Sequence, residues 1–135
     1  MEKPEIISGK RKTAIAKLRI KSGSGIVTYN GLPYHELNLF HKLALSEPIR
    51  IFENVIGKIN YDISIKTSGG GKEAQIQAAR LAIARALLSE SKNSEVLKKA
   101  FVSYDRNLLV QDSRRKEARK PGDSKARAKR QKSYR

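Results

Sequence analysis

The chain has 135 residues, about the size of one domain, and 39% of them are hydrophobic, which is enough for a single core. A formal net charge of +16 predicts a polyanionic partner: RNA, DNA or an acidic membrane surface. The absence of cysteine excludes disulfides and thiolate metal sites. The polar start, MEKPEIISG, and the lack of a long apolar run favour an intracellular, soluble protein without a signal peptide or a membrane-spanning segment.

The first predicted strand covers residues 13–21, where small or apolar residues alternate with others. Its second face would carry three cations, Lys17, Arg19 and Lys21. We interpret SGSG (residues 22–25) as a hairpin loop and IVTYN as the strand that returns beside the first.

A turn at Asn30-Gly31 precedes the first predicted helix, which would have Pro33 in its first turn and end before Pro48. Two further strands are predicted at IRIF and, more clearly, at INYDISIKT, whose apolar residues alternate with polar ones.

Two more helices are expected after these strands. The stronger covers about residues 73–88, with an apolar stripe at Ile76, Ala79, Ile83, Ala86 and Leu87. The other would begin with Asn93 or Ser94 as its cap. Its expected inward residues are Val96, Leu97, Ala100, Phe101 and Tyr104. NLLV is the last apolar stretch, so the pattern predicts one α+β body with two layers and an uncovered basic tail.

The tail, residues 114–135, contains eleven Lys or Arg and two acids, so it carries +9 and the rest of the chain +7. Such a run of like charge is typical of a disordered segment, which can order on a phosphate backbone. Its arginines offer bidentate phosphate contacts, and Pro121-Gly122 would break any helix begun at Asp112. The fourteen residues from Gly122 onward can span up to about 45 Å when extended.

Two shorter motifs also suggest phosphate contacts. GKRKT (residues 9–13) either keeps a sheet edge soluble or binds phosphates, and we favour the second because Lys17 and Arg19 continue its charge. SGGGKEAQ (residues 68–75) fits a phosphate-binding helix start and a tight, closely packed turn equally well. It is not a nucleotide-hydrolysis loop, because Glu73 follows Lys72 where Ser or Thr would be needed.

His35 and His41 are the only histidines, and six residues apart on the predicted helix they cannot form an acid–base pair. With neither a thiol nor a carboxylate pair beside them, the sequence predicts no catalysis, metal, cofactor or small-molecule substrate.

Nearly the whole chain resembles the universal small-subunit ribosomal protein nine family. The resemblance lies in GKRKTAIAKLRI, in EPI after the first helix, in SGGGKEAQIQAARLAIARAL and in the ending DSRRKEARKPGDSKARAKRQKSYR. Ala74 and Ala82 stand where bacterial members often have glycine, so close packing there is expected to differ. The Ser-Tyr-Arg ending is similar to the archaeal and eukaryotic branch, and the compact N-terminus favours an archaeal-type member.

The resemblance implies a fold like the second domain of ribosomal protein five, with a left-handed β-α-β crossover. It implies a cytoplasmic, non-enzymatic constituent of the small-subunit head, in contact with ribosomal RNA (rRNA) and neighbouring head proteins. Residues 1–112 would form the rRNA-binding body. Residues 113–135 would form an arm that reaches the anticodon stem-loop of the peptidyl-site tRNA.

The residues expected to bind rRNA in the body are Lys10, Arg11, Lys12, Lys17, Arg19, Gly69, Gly70, Gly71, Lys72, Gln75, Arg80 and Arg85. Those expected in the arm are Arg114, Arg115, Lys116, Arg119, Lys120, Lys125, Arg127, Lys129, Arg130 and Lys132. The tRNA contacts are assigned to Ser133, Tyr134 and Arg135. Two alternatives remain. A free-standing nucleoid-type protein would use the same charge on DNA, and the protein subunit of an RNA-processing enzyme is suggested by the fold that the resemblance implies.

Overall fold

Five strands form one sheet in the computed structural model, which describes residues 5–91, 94–122, 125–128 and 131. In chain order the strands are β1 (Glu5–Arg11), β2 (Ala14–Ser22), β3 (Val27–Tyr29), β4 (Leu32–Pro33) and β5 (Tyr61–Ser68). Across the sheet the order is β1-β2-β5-β3-β4. The β3–β5 pair is parallel, and the other pairs are antiparallel.

Three α-helices accompany the sheet: α1 (Leu39–Val55), α2 (Lys72–Glu90) and α3 (Ser94–Tyr104). Short 3₁₀ turns precede α1 and follow α3, at Tyr34–Glu36 and Arg106–Leu108. This arrangement confirms the predicted α+β class. Within the described ranges, no helix combines the length and apolar character needed to cross a membrane.

The core lies between one face of the sheet and the helices. Along β2 the residues alternate strictly between buried and exposed, so its small and apolar side chains face α2 and its cations face outward. Residues 78–84 of α2 are all buried, because this helix lies between the sheet and the other helices. The stripe predicted for α2 is buried throughout.

Helix α2 crosses β1 very closely at Gly9. A Cβ atom on Gly9 would lie 2.2 Å from the carbonyl oxygen of Ala78 and 2.8 Å from the backbone nitrogen of Ala82. Only a residue without a side chain fits there. Ala82 therefore packs closely against β1, and the glycine that opens GKRKT serves this packing.

The predicted pairing of the first two strands is wrong. β1 forms a hairpin with β2 through Lys12 and Thr13, whereas SGSG connects β2 to β3 with β5 lying between them. The Asp62 carboxylate at the start of β5 accepts the backbone N–H groups of residues 24–26, at 3.0 to 3.2 Å. These bonds, with that from Ile26 the strongest, lower the pKa of Asp62 and hold the SGSG loop against β5.

The predicted turn at Asn30-Gly31 is confirmed: it closes the β3–β4 hairpin, and both residues have positive φ. The predicted position of Pro33 in a helix is wrong, because Pro33 ends β4. Helix α1 instead begins after Asn38, whose side chain accepts the backbone N–H of Phe40 at 3.1 Å.

IRIF is not a strand, because α1 continues through Pro48 to Val55. Proline removes one helical hydrogen bond, but Leu45, Ile49 and Phe52 form a buried stripe on this helix. Packing of that stripe offsets the loss, so tertiary contacts override the local preference.

Helix α3 is confirmed from Ser94 onward, and Asn93 lies outside the described residues. Leu97 and Phe101 are fully buried as predicted. Val96 and Tyr104 are 59% and 57% exposed, so their predicted inward position is wrong. Successive inward positions on α3 are four residues apart, and the core accepts only this narrow stripe. In NLLV, Leu108 supplies the last buried side chain of the described core.

Candidate nucleic-acid interface

The sheet face turned away from the helices, here called the outer face, is open and cationic. β2 contributes Lys17, Arg19 and Lys21, and the register places Lys66 of β5 directly beside Lys17. All four are exposed, and none forms an ion pair with another residue that the structure describes. Alternate residues of a strand lie about 6.7 Å apart on one face, so β2 presents an evenly spaced cationic row.

Lys66 is a functional candidate that sequence reasoning missed, and Lys21, although placed on the cationic face, was not among the residues expected to bind rRNA. The signal was available, because Lys66 occupies a polar position in the alternation of INYDISIKT. Exposed Ile6, Ile15 and Ile26 lie between the cations. No aromatic ring projects from the described part of this face. The face therefore suits contacts with a sugar–phosphate backbone rather than base stacking.

Three motifs that are distant in the sequence meet at one end of the sheet. Lys12 and Thr13, here called the hairpin turn, join β1 to β2. Thr13 lies against the first residue of the glycine loop, the name used here for residues 69–71. A Cβ atom on Gly69 would lie 2.7 Å from the Thr13 carbonyl oxygen, and one on Gly70 would lie 3.0 Å from Ala14. GKRKT and SGGGK thus form one surface.

The glycine loop serves this packing. Gly69 and Gly70 have φ of +73° and +62°, a conformation that glycine adopts without strain. The Gln75 side-chain amide donates to the Gly69 carbonyl at 3.0 Å, which closes the loop onto α2. These contacts support the interpretation as a tight turn. The backbone at Gly71 remains open, so the phosphate contacts of the loop and exposed Lys72 stay predictions.

The tail joins the same end of the sheet through Asp112. Its carboxylate pairs with the Arg11 guanidinium and also accepts the Arg114 Nη2 at 2.7 Å and the Arg114 backbone N–H at 2.9 Å. The side chain of Asp112 is only 11% exposed. Residues 112–116, here called the arm root, are therefore fastened to the end of β1.

Two of the predicted phosphate ligands have bonding partners within the body. Arg80 is 8% exposed, and its guanidinium pairs with Glu47 on α1 at 2.6 Å and with Asp105 at 3.2 Å. The nearby Glu47 carboxylate raises the pKa of Tyr104, which shows how closely these groups pack. Arg85 donates to the carbonyl oxygens of Ser8 and Leu109. The positions of Arg80 and Arg85 relative to the apolar stripe of α2 could not reveal these partners.

From Arg115 onward, the described part of the tail has neither helix nor strand, and its cations are exposed. These cations are Arg115, Lys116, Arg119, Lys120, Lys125 and Arg127. Arg127 pairs with Glu117 at 3.0 Å, a solvent-exposed contact of little energetic weight. The predicted sites at Lys129, Arg130, Lys132, Ser133, Tyr134 and Arg135 lie outside the described residues.

The prediction that the two histidines lie on one helix is wrong, because His35 lies in the 3₁₀ turn before α1. His41 pairs with Glu73 at 2.8 Å, which links α1 to the start of α2. The described residues contain no group of three His, Cys, Asp or Glu side chains placed to hold a metal ion.

The chain is similar to known ribosomal proteins. The family described as ribosomal protein S9/S16 matches residues 9–135. "Small ribosomal subunit protein uS9" of Thermoplasma volcanium is 42% identical, over 96% of this chain and 97% of its own. The proteins of the same name from Methanococcus vannielii and Thermoplasma acidophilum are 42% and 45% identical. These alignments cover 94% and 96% of this chain and 95% and 99% of those proteins.

All three relatives are archaeal, which agrees with the predicted archaeal-type member. Their name supports the interpretation of this chain as a ribosomal protein. It supports neither of the two alternatives, a nucleoid-type protein or a subunit of an RNA-processing enzyme. The chain therefore belongs to the ribosomal protein S9/S16 family, which confirms the predicted resemblance and the prediction that it is not an enzyme.

Proposed function

We propose that this protein is a structural constituent of the small-subunit head in the cytoplasmic ribosome. In this role it binds the head rRNA and neighbouring head proteins. One observation carries the proposal: GKRKT, the glycine loop and the arm root, far apart in sequence, converge at one end of a cationic sheet. Such a surface fits a folded polyanion, and the family relationship points to rRNA.

The rRNA surface that we propose has two parts. The outer face supplies Lys10, Lys17, Arg19, Lys21 and Lys66, which approach phosphates along the strands. The end of the sheet supplies the hairpin turn, the glycine loop and the arm root. Arg80 and Arg85 stay outside the proposal, because their guanidinium groups are already bonded inside the body.

The arm, residues 113–135, extends from this surface toward the peptidyl-site tRNA. Its residues up to Lys132 lie among rRNA helices, and Ser133, Tyr134 and Arg135 contact the anticodon stem-loop. The length of the arm supports this role, since fourteen residues after Pro121 span up to about 45 Å. The body, residues 1–112, stays on the head rRNA.

The strand order supports the fold implied by the family. β3 and β5 are parallel neighbours with α1 between them in the chain, which is a β-α-β unit. We assign this unit the left-handed crossover of the ribosomal protein five domain-two-like fold.

Removal of residues 132–135 tests the division between body and arm. We expect the shortened protein to sediment with small subunits in a gradient at the level of the full chain, because the body and arm root are intact. Those subunits should bind peptidyl-site tRNA more weakly.

A matched control removes two cations from the body instead. Lys98→Ala with Lys99→Ala changes the exposed surface of α3 and takes away as many basic residues as the truncation. We expect this variant to leave tRNA binding unchanged. If the shortened protein did not join subunits, or if both variants weakened tRNA binding equally, the proposed role of the arm tip would be wrong.

A further inference from the structure

A cleft of about 660 Å³ opens between the hairpin turn and the arm root. It is lined by Arg11, Lys12, Thr13, Arg114, Arg115 and Lys116. Five of these six residues are cationic, and they come from segments about 100 positions apart in the chain. Free lysines and arginines repel one another, so a cleft of this composition needs a device that holds its walls together.

Asp112 is that device. Its carboxylate lies on the arm-root wall and pairs with Arg11 of the opposite wall. It also accepts the Nε and Nη2 groups of Arg114, which holds the Arg114 side chain on the arm-root wall. The Arg115 Nη1 donates to the carbonyl oxygens of residues 112 and 114, which turns this side chain along the arm root. The two walls therefore have a fixed separation before any ligand arrives.

The remaining cations face the opening. Lys12 and Lys116 are exposed and form no ion pair with another described residue. Lys12 also has φ of +53°, a conformation in which glycine would be less strained. A lysine in this strained conformation suggests that its ammonium group is needed at this place.

We propose that the cleft is a single binding site for consecutive phosphates of an RNA backbone, and that Asp112 is the residue that positions its walls. This inference rests on the proposed rRNA binding and adds a defined site to it. Lys12 and Lys116 approach the phosphates from opposite walls, while Arg11 and Arg114 are held by Asp112. A preformed cationic cleft loses less conformational entropy on binding than a loose arm.

Asp112→Asn in the full chain gives the sharpest test, because two accounts predict opposite signs. If charge alone mattered, removal of an acid would tighten binding to small-subunit rRNA. Our proposal predicts affinity lower by about tenfold, as expected when one charge-assisted hydrogen bond is removed. The slope of log affinity against log salt should also become shallower by roughly 0.7 to 0.9 for each phosphate that the cleft no longer neutralises. Unchanged or tighter binding by a folded Asp112→Asn protein would overturn it.

A double-mutant cycle does not depend on Asp112→Asn folding. Lys12→Ala and Lys116→Ala change exposed side chains, and in one site their combined loss of affinity should differ from the product of the single losses by about twofold or more. Lys12→Ala with Lys98→Ala is the control pair and should be multiplicative. Multiplicative losses in both pairs would refute the single cleft while leaving rRNA binding intact. A wild-type chain that does not bind rRNA would refute the proposed function instead.

Discussion

Lys12 and Asn30 are the two described non-glycine residues with positive φ, at +53° and +51°. Asn30 has a structural reason for this backbone conformation. Its side-chain amide donates to the Thr67 hydroxyl, and its side-chain oxygen accepts the Thr67 backbone N–H, both at 2.9 Å. The Lys12 side chain has no hydrogen bond to another described residue, so binding explains a lysine at this position better than folding does.

Lys12→Gly should separate stability from binding. We expect the free energy of unfolding to stay within about 1 kcal/mol of the original, because relief of left-handed strain offsets the greater backbone entropy of glycine. Affinity for rRNA should fall several-fold. Thermal denaturation and filter binding measure the two quantities.

Asn30→Gly is the matched control at the other positive φ. It should lower stability, since Thr67 loses both of its bonds to the Asn30 side chain, and it should leave rRNA affinity unchanged. A marked loss of stability in Lys12→Gly with full rRNA affinity would refute the role given to Lys12.

At the level of elements, the contact of α2 with β1 sets the shape of the body. Gly9→Ala should destabilise the protein by about 3 kcal/mol, because the new methyl group would meet the Ala78 carbonyl oxygen and β1 would have to move away from α2. Gly71→Ala is the control: this residue has φ of −92° and no atom within 4 Å of an added Cβ, so its cost should be within about 1 kcal/mol. Chemical denaturation would measure both, and equal costs would refute the close contact.

Periodicity predicted the elements whose burial is set by their own sequence. β5 alternates and α2 has a buried stripe, so both were found nearly to their ends. The neighbours of a strand depend on distant segments, and nothing in SGSG indicates that β5 lies between β2 and β3. The predicted helix end before Pro48 is wrong for a similar reason, because the packing that keeps α1 continuous involves another helix.

The sequence predicts the separate cationic motifs of the candidate site but not their arrangement in space. Each cationic motif was recognisable, but their meeting depends on Asp112, whose bond to Arg11 joins residues 101 positions apart. Asp112 opens the ending that resembles the family, but nothing in that motif indicates that Arg11 is its partner. The partners of Arg80 likewise come from α1 and from the turn after α3, which no local pattern on α2 could show.

At the level of the whole molecule, the arginines and the lysines have different roles. Apart from His41–Glu73, each ion pair within the described ranges uses an arginine: Arg11, Arg80, Arg114 or Arg127. The planar guanidinium can bind two partners at once, which suits it to joining elements. The lysines of the outer face remain available to a ligand. Binding of RNA would also relieve the repulsion within the tail, residues 114–135, which carries +9 over 22 residues.

The central claim, that this surface binds small-subunit rRNA through its phosphates, is tested most directly by the salt dependence of binding. We predict that log affinity of the full chain for small-subunit rRNA falls with log salt at a slope of about −6 to −7, as expected for about eight neutralised phosphates. Duplex DNA of equal length, measured in the same buffers, should bind more weakly. A slope shallower than about −2, or equal affinity for the two nucleic acids, would contradict this account.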